Sequence, residues 1–275
     1  MTCHVALVGA GGAVMLCDSQ GSTDVSEMHG LQKMVAGKDF IVGGTGGMDL
    51  INAVFEQLMI DIAGVTADNA AKYLFDTIDK LVWPGARHNV EFLLTTETAV
   101  HAILPGTFRT ARNRGIFSSV GSGASFVFRA FGRDSQLGIL IPNNTLPDTF
   151  ATAETYLDAA NESLTVDDEL TLGIVSGGRT YLTGDPTVRL NFAPDELKQN
   201  WPAASVYFKQ IRGIAQTMRG ELRTAQQHLS PIRTGELGPA NHTEMDVRNA
   251  SIQALRNDLI VAMGKFMGWY EAIVP

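Results

Sequence analysis

Hydrophobic residues in the first two-thirds of the chain occur in short, strand-length segments separated by turn residues. Residues 2–8 and 13–18 form the first pair, and the glycine-rich segment 9–12 between them predicts a tight turn. A hairpin of this size brings Asp18 back towards the start of the chain. The same pattern predicts further strands at residues 39–43, 89–96, 99–104, 115–120, 170–176 and 179–183.

Helical spacing of apolar residues predicts helices at about residues 49–62, 66–81, 126–131 and 148–162. Beyond residue 185, two longer stripes repeat at three- and four-residue intervals, from Ile211 to Leu229 and from Ile252 to Trp269. A link rich in glycine and proline separates the two stripes, which predicts a helical hairpin. We therefore expect a domain at residues 1–185 and a helical extension at 186–275. Three alternatives are open for the role of this extension. It is a helical subdomain that covers its own core, a subunit contact, or a cover over a pore.

Charge and composition restrict the classes of partner. Residues 1–185 hold 11 Lys and Arg against 21 Asp and Glu, a net charge of −10, which argues against nucleic acid as the main partner. No apolar run approaches the roughly 20 residues of a membrane span, and no basic residue precedes Lys33 as a signal peptide requires. The two cysteines, Cys3 and Cys17, are expected to be a reduced pair in a cytoplasmic protein.

Thr2 is the first candidate for chemistry. Removal of Met1, which a small second residue permits, would leave a hydroxyl and a free α-amine on the same residue. Such an amine has a pKa of about 7.7–8 and can accept the hydroxyl proton, so Thr2 predicts a nucleophile with its own base. A nearby Lys33 would disfavour the protonated amine and lower the pKa of the hydroxyl, and Asp18 would hold that lysine in place. We expect neither Thr2 nor Lys33 to carry core packing.

Two glycine-rich segments each join a predicted strand to a predicted helix. In the segment Val42-Gly-Gly-Thr-Gly-Gly-Met48, the N–H of Gly43 or Gly44 is a candidate oxyanion donor, worth roughly 3 kcal/mol in a transition state. A tight turn with positive φ is the alternative interpretation of these glycines, and both can hold at once. The second segment, residues 119–125, contains a Gly-Ser-Gly turn with Ser122 at its centre and Ser125 just after it.

Taken together, these segments resemble the proteasome β-type family of N-terminal threonine hydrolases, and most closely its bacterial HslV-type peptidases. The spacing from Thr2 to Asp18 matches the family, whereas the spacing from Asp18 to Lys33 is one residue shorter than in the family. The resemblance covers about residues 2–183 and implies an α/β (α+β) fold, a four-layer αββα sandwich of two antiparallel sheets. It implies catalytic roles for Thr2, Asp18, Lys33, Gly44 or Gly43, and Ser122.

The segment after the fourth predicted helix departs from the family pattern. Family members usually carry an aspartate there that contacts the threonine amine and the serine of the Gly-Ser-Gly turn. This chain reads Ala-Asn-Glu-Ser-Leu-Thr-Val-Asp-Asp over residues 160–168. Asn161, Glu162 and Ser163 are the candidates for that position, with Asp167 less favoured.

These observations predict a threonine peptidase that acts on peptides or proteins without a cofactor. Four of the six histidines, at positions 4, 29, 88 and 101, are too scattered for a metal site. The family resemblance implies a homo-oligomeric ring, fed by an ATP-driven unfoldase. Alternatives on the same fold are a transpeptidase or peptide ligase, a non-proteolytic amidase, and an inactive scaffold. A nucleotide-binding protein is disfavoured because Val14 and Asp49 occupy the last glycine positions of the two glycine-rich motifs.

Overall fold

The computed structural model describes residues 3–22, 27–28, 30–86, 89–105, 110–137, 145–161, 169–233 and 239–275. Over these residues the chain is a mixed α and β protein with two five-stranded antiparallel sheets, a two-stranded ribbon and seven α-helices. None of the helices in this part of the chain is long and apolar enough to cross a membrane.

The elements follow in chain order. The strands are β1 (Cys3–Gly9), β2 (Gly12–Asp18), β3 (Gly21–Ser22), β4 (Glu27–Met28), β5 (Met34–Ala36), β6 (Phe40–Gly46), β7 (Val90–Thr96), β8 (Val100–Pro105), β9 (Thr110–Gly115), β10 (Phe117–Gly121), β11 (Leu170–Ser176) and β12 (Arg179–Gly184). The helices are α1 (Met48–Asp61), α2 (Ala67–Leu81), α3 (Ala124–Leu137), α4 (Leu146–Ala160), α5 (Asp195–Gln199), α6 (Trp201–Arg233) and α7 (Pro239–Ile273).

The first sheet has the strand order β10-β1-β2-β11-β12, which puts the strand nearest the start of the chain inside the sheet. Cys3 lies opposite Gly121 on one side, and His4 lies opposite Cys17 on the other. All seven residues of β2 are buried. One face of β2 packs on α4 and the other meets β7 of the second sheet, so both faces need apolar side chains.

The second sheet has the order β5-β6-β7-β8-β9. Helices α1 and α2 pack on it through a cluster that includes Ile51, Phe55 and Leu74. From the opposite side of this sheet, Ile41 and Leu93 join the apolar cluster that contains the buried residues of the first sheet. The two sheets therefore face each other, and β1 contacts both β6 and β7 across the gap.

The two long helices of the extension share this main core. Helix α6 packs on α7, β12 and α4, and Phe208 and Phe266 are completely or almost completely buried in the same apolar cluster as β1 and β2. The hydrophobic core therefore continues across residue 185, the predicted boundary between the domain and the extension. The predicted helical hairpin is confirmed, and both of its helices extend beyond the apolar stripes that indicated them.

Ion pairs add a second connection between the extension and α4. Glu154 of α4 is only 1% exposed, and it accepts hydrogen bonds from Arg212 at 3.4 Å and Arg219 at 3.0 Å. Burial is the largest influence on Glu154 and raises the pKa of its carboxyl. Asp148, at the start of the same helix, pairs with Arg256 of α7 at 2.5 Å. Helix α4 is thus held from outside by both extension helices.

The strands and helices predicted within residues 1–185 are all present, with bounds that differ by a few residues at most sites. Helix α3 is longer than predicted, and four strands were missed, of which β3 and β4 have only two residues each. Strand β5 has only three residues, too few for a periodic pattern to register. Strand β9 reads Thr-Ala-Arg-Asn-Arg-Gly, a polar sequence that lacks the usual strand signature.

We predict that Phe266→Ala lowers the free energy of unfolding by about 3–5 kcal/mol, because the ring is fully buried and its removal leaves a cavity. Val261→Ala is the matched control on the same helix, since Val261 is 54% exposed, and it should change stability by less than about 0.5 kcal/mol. Urea unfolding of the two variants measures the difference. Equal effects would mean that the extension does not share the core of the body.

Candidate active site

A buried ion pair lies at the end of β2. The Lys33 Nζ is 3.5 Å from Asp18 Oδ2, and both side chains are 0% exposed. The Lys33 ammonium also donates to the backbone carbonyl of Gln20. Burying two charges is unfavourable unless their hydrogen-bonding groups are satisfied, and the Gln20 carbonyl supplies part of that compensation. The expectation that Lys33 carries no core packing is therefore wrong, because it is among the largest fully buried side chains of the described residues.

The second oxygen of Asp18 connects this pair to the first described residue. Asp18 Oδ1 accepts a 2.7 Å hydrogen bond from the backbone N–H of Cys3. The carboxylate thus bridges the lysine ammonium and the beginning of β1. Thr2, the predicted nucleophile, lies outside the described residues, but its peptide bond attaches it to the nitrogen that Asp18 binds. The structure brings together the predicted partners Asp18 and Lys33 at this junction.

The glycine-rich strand β6 passes beside Lys33. The N–H of Gly44 donates to the carbonyl of Lys33 at 3.0 Å, so the N–H that the predicted oxyanion role requires is already engaged. Neither Gly43 nor Gly44 has a positive φ; in this segment only Gly46 does, at +114°. The turn interpretation is thus wrong for the first two glycines and holds for Gly46.

Close packing explains the first two glycines instead. A Cβ added to Gly43 would lie 2.4 Å from Nδ1 of His4, and one added to Gly44 would lie 2.7 Å from Cγ2 of Ile51. Both distances are shorter than van der Waals contact permits. Gly43 therefore leaves room for a ring from the first sheet, and Gly44 leaves room for helix α1.

His4 is completely buried between the two sheets. Its Nε2 lies 3.0 Å from the carbonyl oxygen of Gly44 and 3.4 Å from Sγ of Cys17. Because a carbonyl can only accept, Nε2 must carry the proton in this pair. Burial lowers the pKa of His4 from 6.5 to about 3, so the ring is neutral near pH 7. The sequence indicated only a core or surface role for this histidine.

The Gly-Ser-Gly turn approaches the same junction from β10. Gly121 lies opposite Cys3 in the sheet and has a φ of +98°, which favours glycine. A Cβ on Gly123 would lie 2.9 Å from Cβ of Cys3 and 2.8 Å from Cβ of Ala160, so the turn packs tightly against both β1 and the end of α4. Ser122, between these glycines, is half-buried.

The remaining predicted residues fall around this turn. Asn161 follows the last residue of α4 and is half-buried, which puts one candidate for the missing aspartate next to the turn. Ser125 is exposed in the first turn of α3. Glu162, Ser163 and Asp167 lie outside the described residues.

Glu91 is a residue of this region that the sequence did not indicate. It lies on β7 of the second sheet, and its Oε2 accepts the Gly121 N–H at 2.9 Å. The carboxylate thereby joins the second sheet to the Gly-Ser-Gly turn. A single acid in the otherwise apolar and threonine-rich strand Val90–Thr96 was the available signal.

The cysteines near the junction are buried free thiols. Burial raises the pKa of Cys3 to about 12, so this thiol stays protonated and is a poor nucleophile. Its Sγ lies 3.7 Å from Oγ of Ser119, which donates to the carbonyl of His4 at 2.7 Å. Within the described part of the chain, no group of three or more His, Cys, Asp and Glu could hold a metal ion.

Comparison with protein-family models found no match to this chain, and comparison with curated proteins found none either. The chemistry of the site is therefore inferred from its own side chains and backbone groups.

We predict that Lys33→Met lowers the free energy of unfolding by about 3–5 kcal/mol, because it leaves the buried Asp18 carboxylate without its cation. Adding Asp18→Asn removes that charge but keeps an acceptor for the Cys3 N–H, so the double variant should be more stable than Lys33→Met alone. Urea unfolding measures both, with the exposed Lys38→Met as control. A Lys33→Met protein as stable as the control would contradict a buried pair.

We also predict an acid-dependent loss of stability from His4. The unfolded chain takes up a proton below about pH 6.5, whereas the folded ring does so only near pH 3. The unfolded state therefore binds more protons in this interval, and the free energy of unfolding contributed by His4 falls by about 2 kcal/mol between pH 7.5 and pH 5. Urea unfolding at the two pH values should show a smaller loss for His4→Gln than for the unmodified protein. The same loss in both proteins would rule out a buried neutral ring.

Proposed function

We propose that this chain is an N-terminal-nucleophile threonine hydrolase that cleaves peptide bonds, with the four-layer αββα arrangement of the proteasome β-type family. The observation that carries the proposal is the Asp18 carboxylate, which binds both the Lys33 ammonium and the backbone N–H that directly follows Thr2. Burying a lysine beside a carboxylate carries a desolvation cost, whereas a nucleophile at the start of β1 gains from a nearby positive charge.

The fold supports the same class. Helices α4 and α6 contact the first sheet, helices α1 and α2 contact the second, and β1 and β2 contact β7 between the sheets. Strand β1 lies inside the first sheet, between β2 and β10, and begins at Cys3. The Gly-Ser-Gly turn closes the same end.

In the proposed reaction, the chain begins at Thr2 after removal of Met1. Thr2 Oγ attacks the carbonyl carbon of the peptide bond while the α-amine of Thr2 accepts the hydroxyl proton. The C–N bond then breaks, and that proton passes to the leaving amine. Water attacks the resulting ester, which releases the acid and regenerates the hydroxyl. The Lys33 charge disfavours a second cation at the α-amine and so keeps the amine available as the base.

The oxyanion donor in this proposal lies further along β6 than the sequence indicated. Backbone N–H groups along a strand point alternately to its two sides, so Gly46 directs its N–H to the same side as Gly44. The pairing of β5 with β6 runs only from Ala36 opposite Ile41 to Met34 opposite Gly43, so Gly46 lies past the end of β5. We assign the oxyanion donor to Gly46, which is exposed, in place of Gly44.

We predict that a peptide epoxyketone adds covalently to Thr2 and that Thr2→Ala abolishes both the adduct and peptide hydrolysis. Loss of the nucleophile should lower the rate by about three orders of magnitude or more. Thr2→Ser, which keeps a hydroxyl on the amine-bearing residue, is the control and should retain both. Intact mass and N-terminal sequencing of the active protein should show that Met1 is absent. Undiminished hydrolysis by Thr2→Ala would refute the assignment.

Assembly into a ring is the second part of the proposal, because enzymes of this family gain selectivity by enclosing their active sites. Two valines on the extension helices, Val206 and Val247, are each more than half exposed and offer apolar surface for a subunit contact. Light scattering at micromolar concentration tests this part, and the expected result is a homo-oligomer. A monomeric protein would refute the proposed ring. The chemistry of Thr2 is tested separately by the epoxyketone experiment.

A further inference from the structure

We propose that His4 is a positioning residue, whose ring fixes the glycine-rich strand β6 against the strand that follows Thr2 and so sets the distance between nucleophile and oxyanion donor. This inference rests on the proposed function of Thr2. His4 touches no reacting atom in this scheme, since its ring lies between the two sheets and is completely buried.

The hydrogen bond to Gly44 is the first step of the argument. Two residues of a regular antiparallel pair can exchange two backbone hydrogen bonds. Here the N–H of Gly44 donates to Lys33, while the carbonyl of Gly44 lies 3.0 Å from Nε2 of His4. The two bonds hold the same glycine between the lysine segment and the first sheet. Both backbone polar groups of Gly44 are thereby engaged, two residues before Gly46.

The fit of the ring against β6 is the second step. Gly43 has no Cβ, and one placed there would lie 2.4 Å from Nδ1 and 2.6 Å from Cε1 of the His4 ring. The ring therefore occupies the volume that any other residue at position 43 would need for its side chain. A histidine at position 4 and a glycine at position 43 are a complementary pair across the gap between the sheets.

The position of His4 in the sequence is the third step. It is the second residue after Thr2, and the residue between them, Cys3, donates its N–H to Asp18 at 2.7 Å. The carbonyl of His4 accepts a 2.7 Å hydrogen bond from Ser119 on β10. The main chain next to Thr2 is thus held by Asp18 and Ser119, and the His4 side chain transmits that fixed position to β6.

The chemistry of the ring suits a fixed donor and not a base. Nε2 must carry the proton to donate to Gly44, and the neutral ring keeps that proton throughout the pH range in which a threonine amine can act as a base. Its other nitrogen, Nδ1, is buried and has no hydrogen-bond partner among the described residues. An amide side chain can reproduce the donor, whereas an aliphatic side chain of similar size cannot.

The test compares His4→Leu, which removes the donor, with His4→Gln, which restores one. A displacement of about 1 Å between reacting groups can lower the rate by about 100-fold, so we expect His4→Leu to lower kcat by 10- to 100-fold with little change in KM. His4→Gln should recover kcat to within about fivefold of the unmodified protein. A peptide boronate, which forms a tetrahedral adduct with the nucleophile, should bind His4→Leu more weakly by a factor similar to the loss in kcat.

Thr183→Val is the matched control, because it removes a buried hydrogen bond of 2.8 Å to Ala204 on the extension side of the first sheet. It should leave kcat and boronate affinity within about twofold, with folding of every variant checked by circular dichroism. Unchanged kcat in a folded His4→Leu protein, or equal losses in His4→Leu and His4→Gln, would overturn the positioning role. Absence of an epoxyketone adduct on Thr2 in the unmodified protein would instead overturn the proposed function itself.

Discussion

The rest of the site depends on the Asp18 carboxylate. It is buried, and its two oxygens bind groups that come from different parts of the chain, the Cys3 N–H of β1 and the Lys33 ammonium that precedes β5. In a low-dielectric interior, a carboxylate held by two donors is a rigid reference point, because losing either bond leaves an unsatisfied charge. The start of the first sheet and the edge of the second are therefore positioned by one side chain. His4 and Glu91 add further links between the sheets at the same end, through Gly44 and Gly121.

Two kinds of contact, hydrogen bonds and close packing against glycines, fix the structure around the Asp18 carboxylate. Charged and polar hydrogen bonds define which atoms meet, whereas the glycines define how closely the backbones approach. Gly43 admits the His4 ring, and Gly123 admits the side chains of Cys3 and Ala160. Because a methyl group at either position would collide with a buried neighbour, the spacing of the strands at this end leaves almost no tolerance. A preorganised donor and nucleophile require such a fixed spacing, because small displacements between reacting groups strongly lower the reaction rate.

The sequence predicted the elements well where the periodicity was strong. The hairpin that returns Asp18 to the start of the chain follows from seven-residue strands and a glycine turn, and the structure has both. Burial of Lys33 could not be predicted, because it depends on a backbone carbonyl at Gln20 that only the folded chain positions. The turn conformation considered for Gly43 and Gly44 was wrong for a similar reason. Glycine signals that a side chain must be absent, but the neighbour that requires this lies 39 residues away for Gly43, in His4.

The arrangement of α4 has a consequence for biosynthesis. The acidic side chains of this helix lie between residues 148 and 158, and the arginines that neutralise them lie at 212, 219 and 256. The ribosome releases these acids first, so Glu154 leaves the ribosome before Arg212 and Arg219, its partners in the folded chain. Strand pairing over long separations, such as Cys3 with Gly121, also delays closure of the sheet. We therefore expect the strands around Asp18 to become fully ordered only after the C-terminal helices have been translated.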